Sequence, residues 1–275
     1  MPGQRRKGEL AEVGSLVDSV HAPKPSGHNL TLVTTPLPDD QIERALVVAA
    51  HPDDADFGAA GTIAGWTGAG IEVTLLCVTH GEQGARPDAD IATIPALREA
   101  EQRAASAQLG VTDVRFLDGH RDGWVEPTFD LQRDIVRVIR EVRPQRVLCQ
   151  SPQRWYQRLQ ASHPDHLATG EATIRACYPA AENPFAWPEL GLDFWKVGEV
   201  WLMAHPEPDH YVDITDTFEA KLAALHEHVS QTGHRDDLDE WLAMMGRLTA
   251  ERGGLPEGHF AEQFAIVPIN ARFGR

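Results

Sequence analysis

Ala45 to Ala50 is an unbroken run of six apolar residues that ends in His51-Pro52-Asp53-Asp54. Such a run reads as a buried strand. Two carboxylates and a histidine at its end are costly unless they meet a cation or water. His51 and Asp54 are three residues apart, so one tight turn aims both at a single point. Far downstream, His163-Pro164-Asp165-His166 repeats the combination of histidine and carboxylate. The expectation is that the fold brings the two clusters together around one metal ion.

A chain of 275 residues has room for one large α/β domain with an appendage, and it buries a core without staples. The net charge of −16 argues against nucleic acid or an anionic membrane as partner. Three cysteines cannot all pair, and Cys77 and Cys149 lie inside apolar strand-like runs. Buried free thiols in a reducing compartment follow. Arg5, Arg6 and Lys7 are not followed by a long apolar segment, so no signal peptide is read. No window has the length of a membrane span. The location expected is cytoplasmic.

Residues 1–40 are broken by Pro23, Pro25, Gly27, Pro36 and Pro38 and read as an arm, with the domain proper over 41–275. Asn29-Leu30-Thr31 matches a glycosylation sequon but carries little weight without a secretion route. From there strand and helix patterns alternate: strand Ile42 to Ala50, helix from Phe57 to Trp66, strand Ile71 to Thr79, helix Ala96 to Leu109, strand Val114 to Leu117, helix Leu131 to Val142, strand Arg146 to Gln150 and helix Leu167 to about Tyr178. That order predicts a Rossmann-like α/β fold, a mostly parallel sheet with helices on both faces. Functional sites in such sheets lie outside the carboxyl ends of the strands. His51 to Asp54, the His80 to Gly84 loop, the Gly119 to Gly123 loop and the second cluster all follow strands, so they should share that edge. The glycines after the first strand lack the G-x-G-x-x-G spacing, which disfavours a dinucleotide. Residues 178–196, rich in proline and aromatics, read as a long loop that either walls the site or packs on the domain. Strands at Val197 to Ala204, Tyr211 to Ile214 and Phe264 to Ile269, and helices at Thr217 to Val229 and Leu238 to Thr249, complete the chain.

Two histidines and one carboxylate leave an open position on Zn²⁺, the pattern of a catalytic site. His51, Asp54 and His166 fit it best. Asp53, beside a ligand but pointing elsewhere, is placed to take a proton from water. His163, one helical turn before His166, is placed to stabilise an oxyanion or to protonate a leaving amine. The plainer alternative for His-Pro-Asp-Asp is a capping turn with Asp53 or Asp54 as N-cap.

Ala50-His51-Pro52-Asp53-Asp54 together with His163-Pro164-Asp165-His166 resembles the PIG-L/LmbE-like family of zinc-dependent N-deacetylases, over about residues 43 to 270. The resemblance implies zinc or another divalent metal on His51, Asp54 and His166, Asp53 as general base, and His163 as transition-state stabiliser. Thr79-His80-Gly81-Glu82, Leu97-Arg98-Glu99-Ala100-Glu101 and Arg121-Asp122-Gly123 are similar to family segments that meet substrate, which makes Glu82, Arg98 and Asp122 candidate substrate-binding residues. His228-Val229-Ser230-Gln231 resembles a late family segment; read from the residues, His226 and His228 are surface or structural. Many members carry Glu after the aspartate pair, where this chain has Ala55 and then Asp56. His205-Pro206-Glu207-Pro208-Asp209-His210 echoes the second motif with the wrong spacing and is expected near the site rim.

The function implied is removal of acetyl from an N-acetylglucosamine-type sugar or its conjugate, with a small amino-sugar as partner and a homo-oligomer left open. An amidase on a thiol-sugar S-conjugate and a non-catalytic sugar-binding protein on the same fold are the rival readings.

Overall fold

A computed structural model describes residues 35–84 and 89–270. The expected arm lies outside these residues except for its last few, and so does the sequon at Asn29.

Seven strands form one sheet: β1 (Arg44–Ala49), β2 (Glu72–Cys77), β3 (Asp113–Phe116), β4 (Arg146–Gln150), β5 (Glu199–Met203), β6 (His210–Asp213) and β7 (Ala261–Pro268). Their order is β3-β2-β1-β4-β5-β7-β6. The pairs β1–β2, β1–β4, β2–β3 and β4–β5 are parallel, and β7 runs antiparallel to β5 and β6. The expected Rossmann-like, mostly parallel α/β sheet is what the chain forms. Helices are α1 (Asp54–Gly68), α2 (Ile94–Gln108), α3 (Phe129–Val142), α4 (Pro164–Arg175), α5 (Phe218–Glu227), the single turn α6 (Val229–Thr232) and α7 (Leu238–Arg252).

Both faces of β1 are apolar because both are covered, as parallel strands require. Leu46 and Val48 pack with α3 and α4, while Ala45, Val47 and Ala49 pack with α1 and α2. A smaller cluster of Ile214, Phe218, Leu225, Leu238 and Leu242 joins α5 to α7. Cys77, Cys149 and Cys177 are buried and unbridged. Among the described residues no helix is long and apolar enough to cross a membrane.

The chain winds outward through β1, β2 and β3, then crosses back to β4 on the other side of β1. The gap between the ends of β1 and β4 is therefore the switch point where such sheets open a crevice. His51 to Asp54 leave β1 there. Gly170 lets α4 settle into the same place, since a Cβ on it would lie 2.2 Å from the Gln150 carbonyl oxygen.

Residues 178–196 pack on the body of the domain. Arg140 donates to the carbonyls of Ala180, Ala181, Asn183 and Ala186, and Trp195 Nε1 donates to Pro144 O at 2.7 Å. The reading of this loop as a wall of the site gives way to the packing alternative, because α3 supplies both a cation for its carbonyls and an apolar seat for Trp187, Leu190 and Trp195.

Two glycines separate packing from propensity. Gly170→Ala should destabilise the fold by about 1–3 kcal/mol through backbone overpacking. Gly65→Ala, exposed inside α1 with nothing within 4 Å of the added Cβ, should stabilise it by about 0.4–1 kcal/mol. Urea unfolding of the two variants checks both signs.

Candidate active site

After β1 the backbone turns sharply, and Asp53 adopts φ 82° and ψ −25° before α1 begins at Asp54. A non-glycine residue in this left-handed region costs about 1–3 kcal/mol and needs support from its surroundings. α2 gives that support. Asp53 N donates to Gln102 Oε1 at 2.8 Å, and Arg98 Nη2 donates to Pro52 O at 2.7 Å and to Asp53 Oδ2 at 3.1 Å. Arg98 and Gln102 are one turn apart, so they share the face of α2 that looks at the turn. The result sends two neighbouring carboxylates in different directions, Asp53 toward Arg98 and Asp54 toward the histidines.

Asp54 is the hub. Its Oδ2 lies 3.1 Å from His51 Nδ1 and its Oδ1 3.0 Å from His166 Nε2, while Gln150 Nε2 donates to Oδ2 at 2.9 Å. The far nitrogens of both rings face acceptors. His51 Nε2 lies 3.0 Å from Asp122 Oδ1 and 3.1 Å from Asp165 Oδ2, and His166 Nδ1 lies 3.3 Å from Ala161 O. Those partners fix both rings from the far side and aim His51 Nδ1 and His166 Nε2 at Asp54. Among the described residues His51, Asp54 and His166 form one grouping whose ligand atoms lie within 4.8 Å of one another; His51, His163 and Asp165 form another. The first is the better cation site, because Asp165 is already held by His51 and by the Gly123 and Val125 amides.

The charge balance points the same way. Asp53, Asp54, Asp122 and Asp165 crowd around His51, His166 and Arg98. Burial alone would lower the His51 imidazolium, but Asp54, Asp122 and Asp165 hold it up at about 12. Burial pushes against ionisation of Asp54 too, and His166 and His51 hold its carboxyl well below the usual range. Were the inward ring protons exchanged for a divalent cation, two ring nitrogens and a carboxylate would meet it in an excess of negative charge, a donor set that such a cation fits. Asp53 differs from its neighbour: burial, against the opposing pull of Arg98, raises it to about 7. His163, half-exposed above the cluster with its ring centroid 5.4 Å from that of His51, is lowered by burial.

The remaining expected residues are all at this edge, in contact with protein groups. Asp122 is buried, with Oδ1 at His51 and Oδ2 accepting from Gln83 N at 2.9 Å. Glu82 Oε1 accepts from Asp122 N at 2.9 Å. Arg98 is 3% exposed and also donates to Gly81 O at 2.8 Å. The loop closes on it only because Gly81 has φ +68° and no Cβ, which would lie 2.2 Å from Nη1. Glycine alone suits both demands.

Asp165, Gln102 and Gln150 hold the site and escaped the sequence reading. Asp165 sat in plain view inside the second motif, where its fully buried neighbourhood had no sequence signal. Asp56, fully buried, accepts from Gln102 Nε2 at 2.8 Å and meets His228 Nε2 at 2.9 Å. His228 is thus a buried structural residue, whereas His226 stays exposed beside Asp239. The decoy His205 to His210 spans the turn from β5 to β6, and His210 packs its ring 4.9 Å from Trp201, away from both metal groupings. A cavity of about 350 Å³ opens beside Asp54 and His166.

The model of the PIG-L family, GlcNAc-PI de-N-acetylase, matches residues 46–177. The diacetylchitobiose deacetylase of Thermococcus kodakarensis is 32% identical over 234 residues, covering 84% of this chain and 85% of that one. A 1D-myo-inositol 2-acetamido-2-deoxy-alpha-D-glucopyranoside deacetylase of Streptomyces avermitilis is 35% identical over 198 residues, 62% of this chain and 64% of the other. Among solved structures, the N,N'-diacetylchitobiose deacetylase of Pyrococcus horikoshii, bound to its inhibitor, superposes with a TM-score of 0.76 at 26% identity, covering 86% of this chain and 89% of its own.

Gln102→Leu strips Asp53 N and Asp56 of a partner at once. The expected loss of stability is about 1–3 kcal/mol per buried group left unpaired, read by denaturant unfolding against Gln108→Leu, since Gln108 is exposed and its amide donates only to Glu227.

Proposed function

Starting from a chain that belongs to the PIG-L family, the GlcNAc-PI de-N-acetylases, we propose that it is a metal-dependent hydrolase that removes the acetyl group from an N-acetylglucosamine-type sugar or conjugate. One observation carries the reading. Asp53 stands beside a ready-made cation site without being part of it, ring nitrogens and Asp54 on one side, a carboxyl raised to about 7 on the other.

His51 through Nδ1, Asp54 through its carboxylate and His166 through Nε2 would hold the metal, and a two-histidine, one-carboxylate set suits zinc. Bound there, the cation supplies Lewis acidity, which polarises an amide carbonyl and brings the pKa of water toward 7. Asp53 takes the proton from the attacking water, a task matched to a pKa near the working pH. It then delivers that proton to the departing amine nitrogen. His163, half-exposed above the cluster, faces the oxygen on which negative charge develops and holds it by a hydrogen bond. Arg98 and Asp122 act by orienting Asp53 and His51, and Glu82 by fixing the Asp122 backbone, so their part in sugar binding is to shape the wall on the Asp53 side.

Asp53→Asn should keep its metal and lose about 10²–10⁴ in kcat for acetate release from N-acetylglucosamine or diacetylchitobiose. Elemental analysis beside the activity assay decides: turnover that survives with metal bound removes Asp53 as base. Asp165→Ala leaves His51 without one of its acceptors and should weaken metal binding by about 10–100-fold, measured by competition with a chromogenic chelator.

A further inference from the structure

The cavity beside Asp54 and His166 is walled by Phe57 of α1, Met203 at the end of β5, and Trp241 and Met245 of α7. Its volume of about 350 Å³ falls in the range of small-molecule sites, about 300–1,000 Å³. Acetyl has a single methyl group and needs only a dimple. The charged residues within the wall are already satisfied. Lys221 Nζ is paired with Glu262 Oε1 at 2.6 Å and donates to Phe57 O at 2.8 Å, and Glu262 accepts from the Gly61 and Thr62 amides. Arg158 is exposed at the rim, its guanidinium 5.8 Å from the Trp155 ring centroid. Gln150 Oε1 and Gln263 Oε1 are buried polar atoms of the wall without a protein partner; the rest of the interior is mainly apolar, and its two methionines adapt to irregular apolar shapes.

The side on which the cavity lies identifies its occupant. An amide at the site has two substituents, the acyl group and the amine. The amine nitrogen must lie within reach of the group that returns its proton. Asp53, which carries the proton, and His163 are both absent from the cavity wall, whereas Asp54 and His166 line it. Asp53 faces α2, and the cavity faces α7 and the β5–β7 side of the sheet. The amine therefore leaves on the α2 side, and the cavity receives the substituent of the acyl carbon.

We propose that this cavity is an acyl-chain pocket and that the enzyme hydrolyses glucosamine amides of apolar acyl groups longer than acetyl. The step is ordinary amide hydrolysis: the water oxygen bonds to the acyl carbon, the carbon–nitrogen bond breaks, one water proton passes to the amine, and the longer carboxylate and free amino sugar are released. The inference rests on the deacetylase reading and extends it to the acyl side.

The test is a series of N-acetyl-, N-butyryl-, N-hexanoyl- and N-octanoyl-glucosamine, with amine release measured on the metal-loaded protein. Each methylene buried favours the longer chain by up to about fourfold, so kcat/KM for butyryl and hexanoyl should equal or exceed that for acetyl. Met245→Trp, which narrows the cavity, should lower the hexanoyl-to-acetyl ratio at least tenfold, and Met245→Ala should leave the ratio as high or raise it. Thermal melts confirm that both variants are folded. A wild-type fall of more than tenfold from acetyl to butyryl overturns the pocket, as does a ratio that neither variant moves. If the variants instead alter selectivity among N-acetylglucosaminides of increasing aglycone size, the cavity belongs to the amine side and the proposal fails. Loss of all amide hydrolysis, acetyl included, is a different result: it removes the deacetylase reading itself, and the acyl pocket with it.

Discussion

His51 Nε2 lies 3.0 Å from Asp122 and 3.1 Å from Asp165, and the position of that one proton governs the rest of the site. Asp122 arrives on the loop after β3 and Asp165 in the first turn of α4, whose chain has just left β4. Three separate strand ends therefore meet at one imidazole. With the ring held from its far nitrogen, Nδ1 faces Asp54, and Asp54 turns its second oxygen to His166. Each carboxylate in this set is in turn tied to backbone amides or a glutamine, so none of them is free to rotate away. Low local dielectric strengthens such a network when complete and makes a missing member expensive.

The left-handed turn at Asp53 has the complementary effect. Two consecutive aspartates would ordinarily repel and share one environment. Here the positive φ points one into the histidine cluster and the other at Arg98, and their ionisation moves apart accordingly. Environments that push neighbouring acids to opposite ends of the scale are how one site comes to hold both a ligand and a base. Pro52 and Asp53 cannot hold that turn alone. Gln102 and Arg98, from a helix more than forty residues later, complete it.

What the sequence disclosed divides along the same line. Apolar runs such as Ala45 to Ala50 marked the strands, because a strand covered on both faces has no alternative composition. The two histidine-carboxylate clusters marked the edge of the sheet, because unpaired charge there needs a partner. Residues such as Gln102 and Gln150 were silent for the opposite reason. A glutamine in a helix looks the same whether it faces water or bridges Asp53 to Asp56, and only the approach of α2 to α1 decides which. The aromatics of 178–196 misled in a similar way. They left a substrate surface open, yet Arg140 holds the carbonyls of this loop, and Trp187 and Trp195 pack on the core while Tyr178, Phe185 and Phe194 stay exposed. The shift of charge from position 55 to 56 became interpretable only with His228 in view, since a carboxylate at 56 is on the buried side of α1 and its partner comes from beyond α5.

The sheet order explains why the two sides of the metal-ligand cluster differ in character. On the side of β2 and β3 the strands are short, parallel and followed by polar loops, so Glu82, Asp122 and Arg98 assemble a dense, charged wall. On the side of β5 the next strand is β7, antiparallel, which starts beside the carboxyl end of β5 and runs away from it, so no loop–helix unit follows at that edge. α7 fills that vacancy from a distance, with Trp241 and Met245 rather than a tight helix N-terminus, and a cavity remains. A water molecule, a base and a leaving amine require the ordered, polar wall. An apolar acyl substituent requires only exclusion of water and room. The antiparallel strand in an otherwise parallel sheet thus places a gap on one side of His166 and a hydrogen-bonded network on the other, the division on which the proposed acyl pocket rests.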